Sequence, residues 1–330
     1  MKRQGQIISL LAVVTVAATV ILITFVNQKP ARRAAVETIN IEVILKSTDY
    51  TSIPFWDVVR QGLETAAEDI QAHISISGPK SETEIDLQIQ LVYEAMAREP
   101  DAIILAAADY KRLISAAEDI ISSGIPLITI DSFVDSDSPV SRIGTDNYSA
   151  GLKAGHIMKE YISKGSQIAI ISYVKESSTA LDREKGVRES LQGYADIIGT
   201  WYSGGNAKIA SEQAVSVLKS NPDLAAIIAL NEPSTVGSAR ALELSGRKSE
   251  IVLIGFDNSS PIIQYLEQEI IQAIIVQKPF NMGYLGVIYA ADAVSGKKVP
   301  EVIDTGAEII TKETMYTSEN QKLLFPVNRN

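Results

Sequence analysis

Side chains able to do covalent or metal chemistry are scarce in this chain. Its 330 residues hold no cysteine and two histidines, His73 and His156. Without thiols there can be no disulfide, thiolate metal site, cysteine nucleophile or lipidated cysteine. Two histidines alone do not build a multi-histidine metal centre. His73 opens a strand-like run and His156 sits inside a helical one over residues 149–162, so both read as structural or surface residues. The cluster Asp131, Asp135 and Asp137 lacks the spacing and glycine of a calcium loop and reads as a solvated turn. Phosphate-cradling glycine loops, the GxSxG nucleophile elbow and the HExxH zinc motif are all absent. An α/β chain without a catalytic constellation points to binding rather than turnover, with no cofactor.

The elements that must position any site follow from the apolar pattern. Runs at residues 41–45, 73–77, 102–106, 126–130, 167–172, 225–229, 250–254 and 272–276 read as strands. Most are continuously apolar, as parallel strands covered on both faces should be. Amphipathic stretches at 58–70, 84–97, 113–121, 208–219 and 234–244 lie between them as helices. Repeated βαβ units imply a doubly wound α/β architecture, and eight strands imply two lobes rather than one sheet. Length agrees, since 330 residues at about 150 per domain give roughly two.

Charge narrows the partners. Thirty basic residues against 40 acidic ones leave a net charge of −10, which excludes a general nucleic-acid binder. Residues 1–39 are set apart by an apolar run, Ile7 to Val26, broken only by Ser9 and three threonines. Twenty residues at about 1.5 Å each span about 30 Å, the hydrocarbon thickness of a bilayer. A cleaved signal peptide has a shorter apolar region and an A-x-A site, which is missing here. The expectation is therefore a retained single-pass anchor with linker over 1–39. Beyond it, 25 basic and 39 acidic residues remain, suited to the outer face of a cell membrane.

Several strand-end segments then fall in a recognisable order. Val43-Ile44-Leu45-Lys46-Ser47-Thr48 is followed by Pro54-Phe55-Trp56 at a helix start. Ile128-Thr129-Ile130-Asp131, Ile143-Gly144-Thr145-Asp146-Asn147 and Asp182-Arg183-Glu184-Lys185-Gly186 come next. Asn231-Glu232-Pro233-Ser234-Thr235-Val236-Gly237, Gly255-Phe256-Asp257 and Ala273-Ile274-Ile275-Val276-Gln277-Lys278-Pro279 complete the series. From about residue 40 onward the chain resembles the type I periplasmic sugar-binding proteins, in their ribose- and allose-binding branch. The resemblance implies two Rossmann-like lobes joined by three crossovers, near residues 145–147, 276–278 and 304–306. The first lobe would take 40–145 plus 277–304, the second 146–276 plus 305–330. A sugar would sit in the cleft, at the carboxyl ends of the strands.

The residue types suit a pyranose, which has an apolar C–H face and a rim of hydroxyls. Phe55 and Trp56 can plate the C–H face. Arg183 offers a rigid fork of donors, while Asp131 and Asp257 each accept two hydroxyl protons. Asn231 and Gln277 donate and accept together. Lys46 lies where the allose-type branch carries a ligand-contacting lysine. Asn206 falls where the ribose-binding proteins carry an aromatic in the second lobe. Two other departures are Ser132 in place of an arginine and Ile53 in place of an asparagine. They preserve a polyol ligand and weaken any case for ribose itself.

The expected protein is thus a membrane-anchored, non-enzymatic receptor for a pentose or hexose pyranose. It would signal through a sensor histidine kinase, which a retained anchor favours, or otherwise present the sugar to an ABC-type permease. Two alternatives remain: a surface carbohydrate hydrolase using Asp131 and Asp257 about 5–10 Å apart, and a receptor for an autoinducer-2-type signal.

Overall fold

Continuously apolar runs do become the central strands of two parallel sheets. Residues 38–325 are described in a computed structural model. The chain begins with β1 (Asn40–Ile44), β2 (His73–Ser77), β3 (Ala102–Leu105), β4 (Leu127–Ile130) and β5 (Ser141–Gly144). It continues with β6 (Gln167–Ser172), β7 (Asp196–Tyr202), β8 (Leu224–Ala229), β9 (Val252–Phe256) and β10 (Ala273–Val276). β11 (Val302–Asp304) and β12 (Glu308–Thr311) close the series. One sheet has the order β11-β5-β4-β3-β1-β2 and the other β12-β10-β9-β8-β6-β7. All pairings are parallel except β10 with β12. Both sheets carry helices on their two faces, with separate apolar cores on each side. Burial on both faces explains why β3, β4 and β10 contain no charged residue.

Four strands were absent from the sequence expectation: β5, β7, β11 and β12. β5, β11 and β12 have only three or four residues, each including a charged one, so none forms a continuously apolar run. β7 is longer but lies at a sheet edge and is only partly buried. The expected membrane anchor over residues 7–26 lies outside the described residues. Among the described residues, no helix is long and apolar enough to cross a membrane.

The chain passes between the sheets three times, after β5, after β10 and after β11. Two of these connections are fastened together. Asp304 Oδ1 accepts the Asp146 N–H at 3.0 Å and the Gly306 N–H at 2.7 Å. Thr305 N–H adds a bond to the Gly144 carbonyl at 2.8 Å.

Helix Ser178–Leu191 must be held accurately, because it carries Arg183. It lies against helix Asn147–Tyr161 through Gly151 and Gly186. A Cβ on Gly151 would collide with the Arg183 carbonyl, and one on Gly186 with the Tyr148 carbonyl. Backbone cannot give way as a side chain can. Gly186→Ala is therefore expected to destabilise the fold by about 1–3 kcal/mol, the usual range for overpacking. An unfolding midpoint in urea equal to wild type would contradict this close approach.

Candidate functional site

The strands of both sheets point their carboxyl ends at one cleft, and the polar side chains collect there. Fourteen residues line one small cavity where the two sheets meet. From the first sheet come Lys46 after β1, Glu82 after β2 and Asp131 after β4, with Ile53, Phe55 and Trp56 at the start of helix Pro54–Ile70. The second sheet supplies Tyr173 after β6, Asn231, Glu232 and Pro233 after β8, Asp257 after β9 and Gln277 after β10. Thr179 and Arg183 enter from helix Ser178–Leu191.

The two lobes are closed on each other around this cavity. Lys46 Nζ donates to Ser177 Oγ at 3.1 Å, and the Phe55 N–H to Glu232 Oε2 at 3.1 Å. Outside the cavity, the Phe133 N–H reaches Ser178 Oγ at 2.9 Å, and the Tyr110 N–H the Glu176 carbonyl at 2.7 Å.

One pair of opposite charges in the cleft is compensated directly, and the other charged groups there rely on neutral partners. Lys46 and Asp131 form an ion pair at 2.9 Å, with side chains 3% and 7% exposed. Arg183 donates to Asn147 Oδ1 at 2.8 Å and to the Leu230 carbonyl at 2.7 Å, and its guanidinium lies 4.5 Å from the Phe256 ring centre. Asp257 Oδ1 accepts from Gln277 Nε2 at 2.7 Å. Gln277 Oε1, also buried, has no hydrogen-bond partner among the described residues. Trp56 Nε1 donates to Glu82 Oε1 at 2.9 Å, and the Trp56 ring meets Phe55 edge-on at 5.2 Å. Burial pushes Glu82 and Asp257 above the ordinary carboxylate range. Burial, helped by the nearby charge of Asp257, pushes Glu232 up to about 7.

Asp131 and Asp257 share an unusual backbone. Each follows a central strand, each has positive φ (59° and 71°), and each donates its N–H to the next strand, to Ile143 and Ile275. A side chain held in this sparsely populated conformation is aimed by its backbone rather than by its rotamer alone.

Eight of the nine residues expected from sequence, Lys46, Phe55, Trp56, Asp131, Arg183, Asn231, Asp257 and Gln277, line the cavity. Asn206 does not. Its Oδ1 accepts the N–H groups of Lys208 and Ile209, so it caps helix Ala207–Ser220. Asn231 also caps a helix, through Oδ1 to the Ser234 N–H at 3.1 Å, while lining the cavity. Trp56 is only 1% exposed and belongs to the apolar core as well as to the cavity wall.

Glu82, Tyr173, Thr179 and Glu232 were missed. Glu82 follows β2, a strand end like those that carry Lys46 and Asp131, and that position is its signal. Glu232 stands directly beside Asn231 but faces the other lobe, which no local pattern reveals.

Comparison with known proteins gives a consistent outcome. A family model described as "Periplasmic binding protein domain" matches residues 44–298. The D-ribose/D-allose-binding protein of Pseudomonas aeruginosa is 26% identical over 71% of this chain and 77% of its own length. The D-allose-binding periplasmic protein of Escherichia coli is 25% identical over 78% and 86%. An ABC transporter solute-binding protein from Agrobacterium vitis, solved with bound D-fucose, superposes with a TM-score of 0.83 at 31% identity, covering 86% of this chain and 99% of that one. A sugar transporter structure from Clostridium phytofermentans gives 0.77 at 35%, covering 82% and 98%.

The buried ion pair gives a direct test. Lys46→Met leaves Asp131 charged and unpaired, and should cost about 3–5 kcal/mol. Lys46→Met combined with Asp131→Leu should recover most of that loss. Equal unfolding free energies for the single variant and wild type would remove the pair from the account.

Proposed function

The chain belongs to the periplasmic binding protein domain family, and on that premise we propose that it is an extracytoplasmic receptor for one monosaccharide. It closes around a pentose or hexose in pyranose form and releases it unchanged. The observation that carries this reading is the composition of the cavity wall. Carboxylates, carboxamides and a guanidinium alternate with aromatic rings around a single small space. Hydroxyls donate and accept at once, so such a wall can satisfy a polyol group by group. The unpartnered Gln277 Oε1 is an acceptor in need of one such donor.

A hydrolase built on Asp131 and Asp257 is the weaker reading. Asp131 is held in an ion pair with Lys46 at 2.9 Å rather than free to act at a glycosidic bond. The family's relatives named above are likewise binding proteins rather than enzymes.

The acidic, cysteine-free chain beyond residue 39 suits the outer face of a cell membrane, and the apolar run 7–26 would tether it there. An ABC-type permease is the partner we favour, because several similar structures are transporter components. A tether that keeps the receptor beside one membrane protein also fits a sensor histidine kinase.

A thermal-shift panel of aldoses, polyols and autoinducer-2 tests the ligand class. At least one monosaccharide should raise the unfolding temperature with saturation. Arg183→Ala and Asp257→Ala should each weaken its binding tenfold or more, since each leaves buried partners unpaired. Wild-type affinity in both variants would place the sugar elsewhere. In a Trp201→Phe background, sugar should also change the emission of Trp56. A spectrum unmoved at saturation would count against contact with that ring.

A further inference from the structure

Helix Pro54–Ile70 begins without a cap of its own. Ile53 occupies the N-cap position and offers no side-chain acceptor. The acceptor comes from the other lobe: Glu232 Oε2 takes the Phe55 N–H at 3.1 Å. This contact exists only while the lobes are together, and Glu232 is then 5% exposed.

Its charged surroundings are mostly acidic. Asp257 lies close by at the end of β9, and Asp57 belongs to the first turn of the helix that Glu232 caps. Glu82 and Asp131 line the same cavity. The two cavity cations are engaged elsewhere, Lys46 with Asp131 and Ser177, Arg183 with Asn147 and the Leu230 carbonyl. Closing the cleft therefore moves the Glu232 carboxylate from water into a dry site beside another carboxylate. The Ser259 hydroxyl and the Phe55 N–H do not offset that loss. A protonated carboxyl fits better, because its carbonyl oxygen still accepts from Phe55 and its charge is gone.

We infer that closure around the sugar takes up a proton at Glu232, so that this residue sets the pH dependence of binding. It acts as a positioning residue that joins the lobes. The inference rests on the sugar-receptor reading. Its magnitude follows from linkage. Glu232 stands at about 7 in the closed form, against roughly 4.3 for a solvated glutamate. A carboxyl raised by closure favours the closed form at low pH, and that advantage is lost as pH rises through 7. Affinity should be roughly tenfold weaker at pH 8 than at pH 6.

Glu232→Gln supplies the test, because it copies the protonated shape at every pH. Titration calorimetry on the full chain in mild detergent would use D-ribose, D-allose, D-fucose and D-arabinose at pH 6, 7 and 8. Wild type should lose about tenfold in affinity from pH 6 to pH 8. The glutamine variant, which takes up no proton on closing, should bind at pH 8 at least as tightly as wild type at pH 6, with a flat profile. A flat wild-type profile, or a variant as steep as wild type, overturns the inference.

A second readout needs no sugar. The chain has no cysteine, so spin labels at Leu87→Cys and Leu244→Cys, both exposed, report the distance between lobes cleanly. The closed fraction should rise from pH 8 to pH 6 with Glu232 and stay constant with Gln. If no sugar binds yet the distances shift in this way, the receptor reading falls and proton-linked closure stands. If sugar binds while affinity and distances ignore pH, the reverse holds.

Discussion

Charge that is taken out of water must be answered within the protein, and the cleft is organised by that requirement. Lys46 and Asp131 sit 2.9 Å apart with almost no solvent. Removing either would leave several kcal/mol of unanswered charge. The pair then fixes much else. Lys46 also reaches Ser177 in the second lobe and lies 5.9 Å from the Trp56 ring centre. Trp56 in turn donates to Glu82. A single chain of contacts thus runs from the second lobe, through an ion pair, to the aromatic wall and the carboxylate behind it.

The two lobes repeat one plan, and the repeat explains why opposed acids meet in the middle. The strand orders match position for position, and Asp131 after β4 corresponds to Asp257 after β9. Both carry positive φ and both bond to the following strand. Their compensation differs: Asp131 has a lysine, Asp257 a carboxamide. That asymmetry gives the cavity one side closed by an ion pair and another where burial makes the carboxyls of Asp257 and Glu232 hold protons more tightly.

Much of this was legible in the sequence because central parallel strands are apolar throughout and end abruptly in polar residues. Lys46, Asp131, Asp257 and Gln277 each stand directly after an apolar run, and the eye finds them there. The edge strands β7, β11 and β12 carry no such contrast and are not marked in the sequence. Asn206 shows the opposite error. A residue suited to a sugar by type and position satisfies a helix terminus instead, and local sequence does not distinguish those duties. Glu232 was hidden for a third reason: its partner lies 177 residues away, on the facing lobe.

Asp304 limits how the lobes can move. By accepting from Asp146 and Gly306 at once, its carboxylate binds two of the three connections into one ribbon. A ribbon and a separate third strap support a body along a line, as two bearings support a shaft. Rocking about that line stays soft, while twisting about the long axis strains the bonds to Asp304. Rocking about that line is thus the opening that leaves the bonds to Asp304 intact.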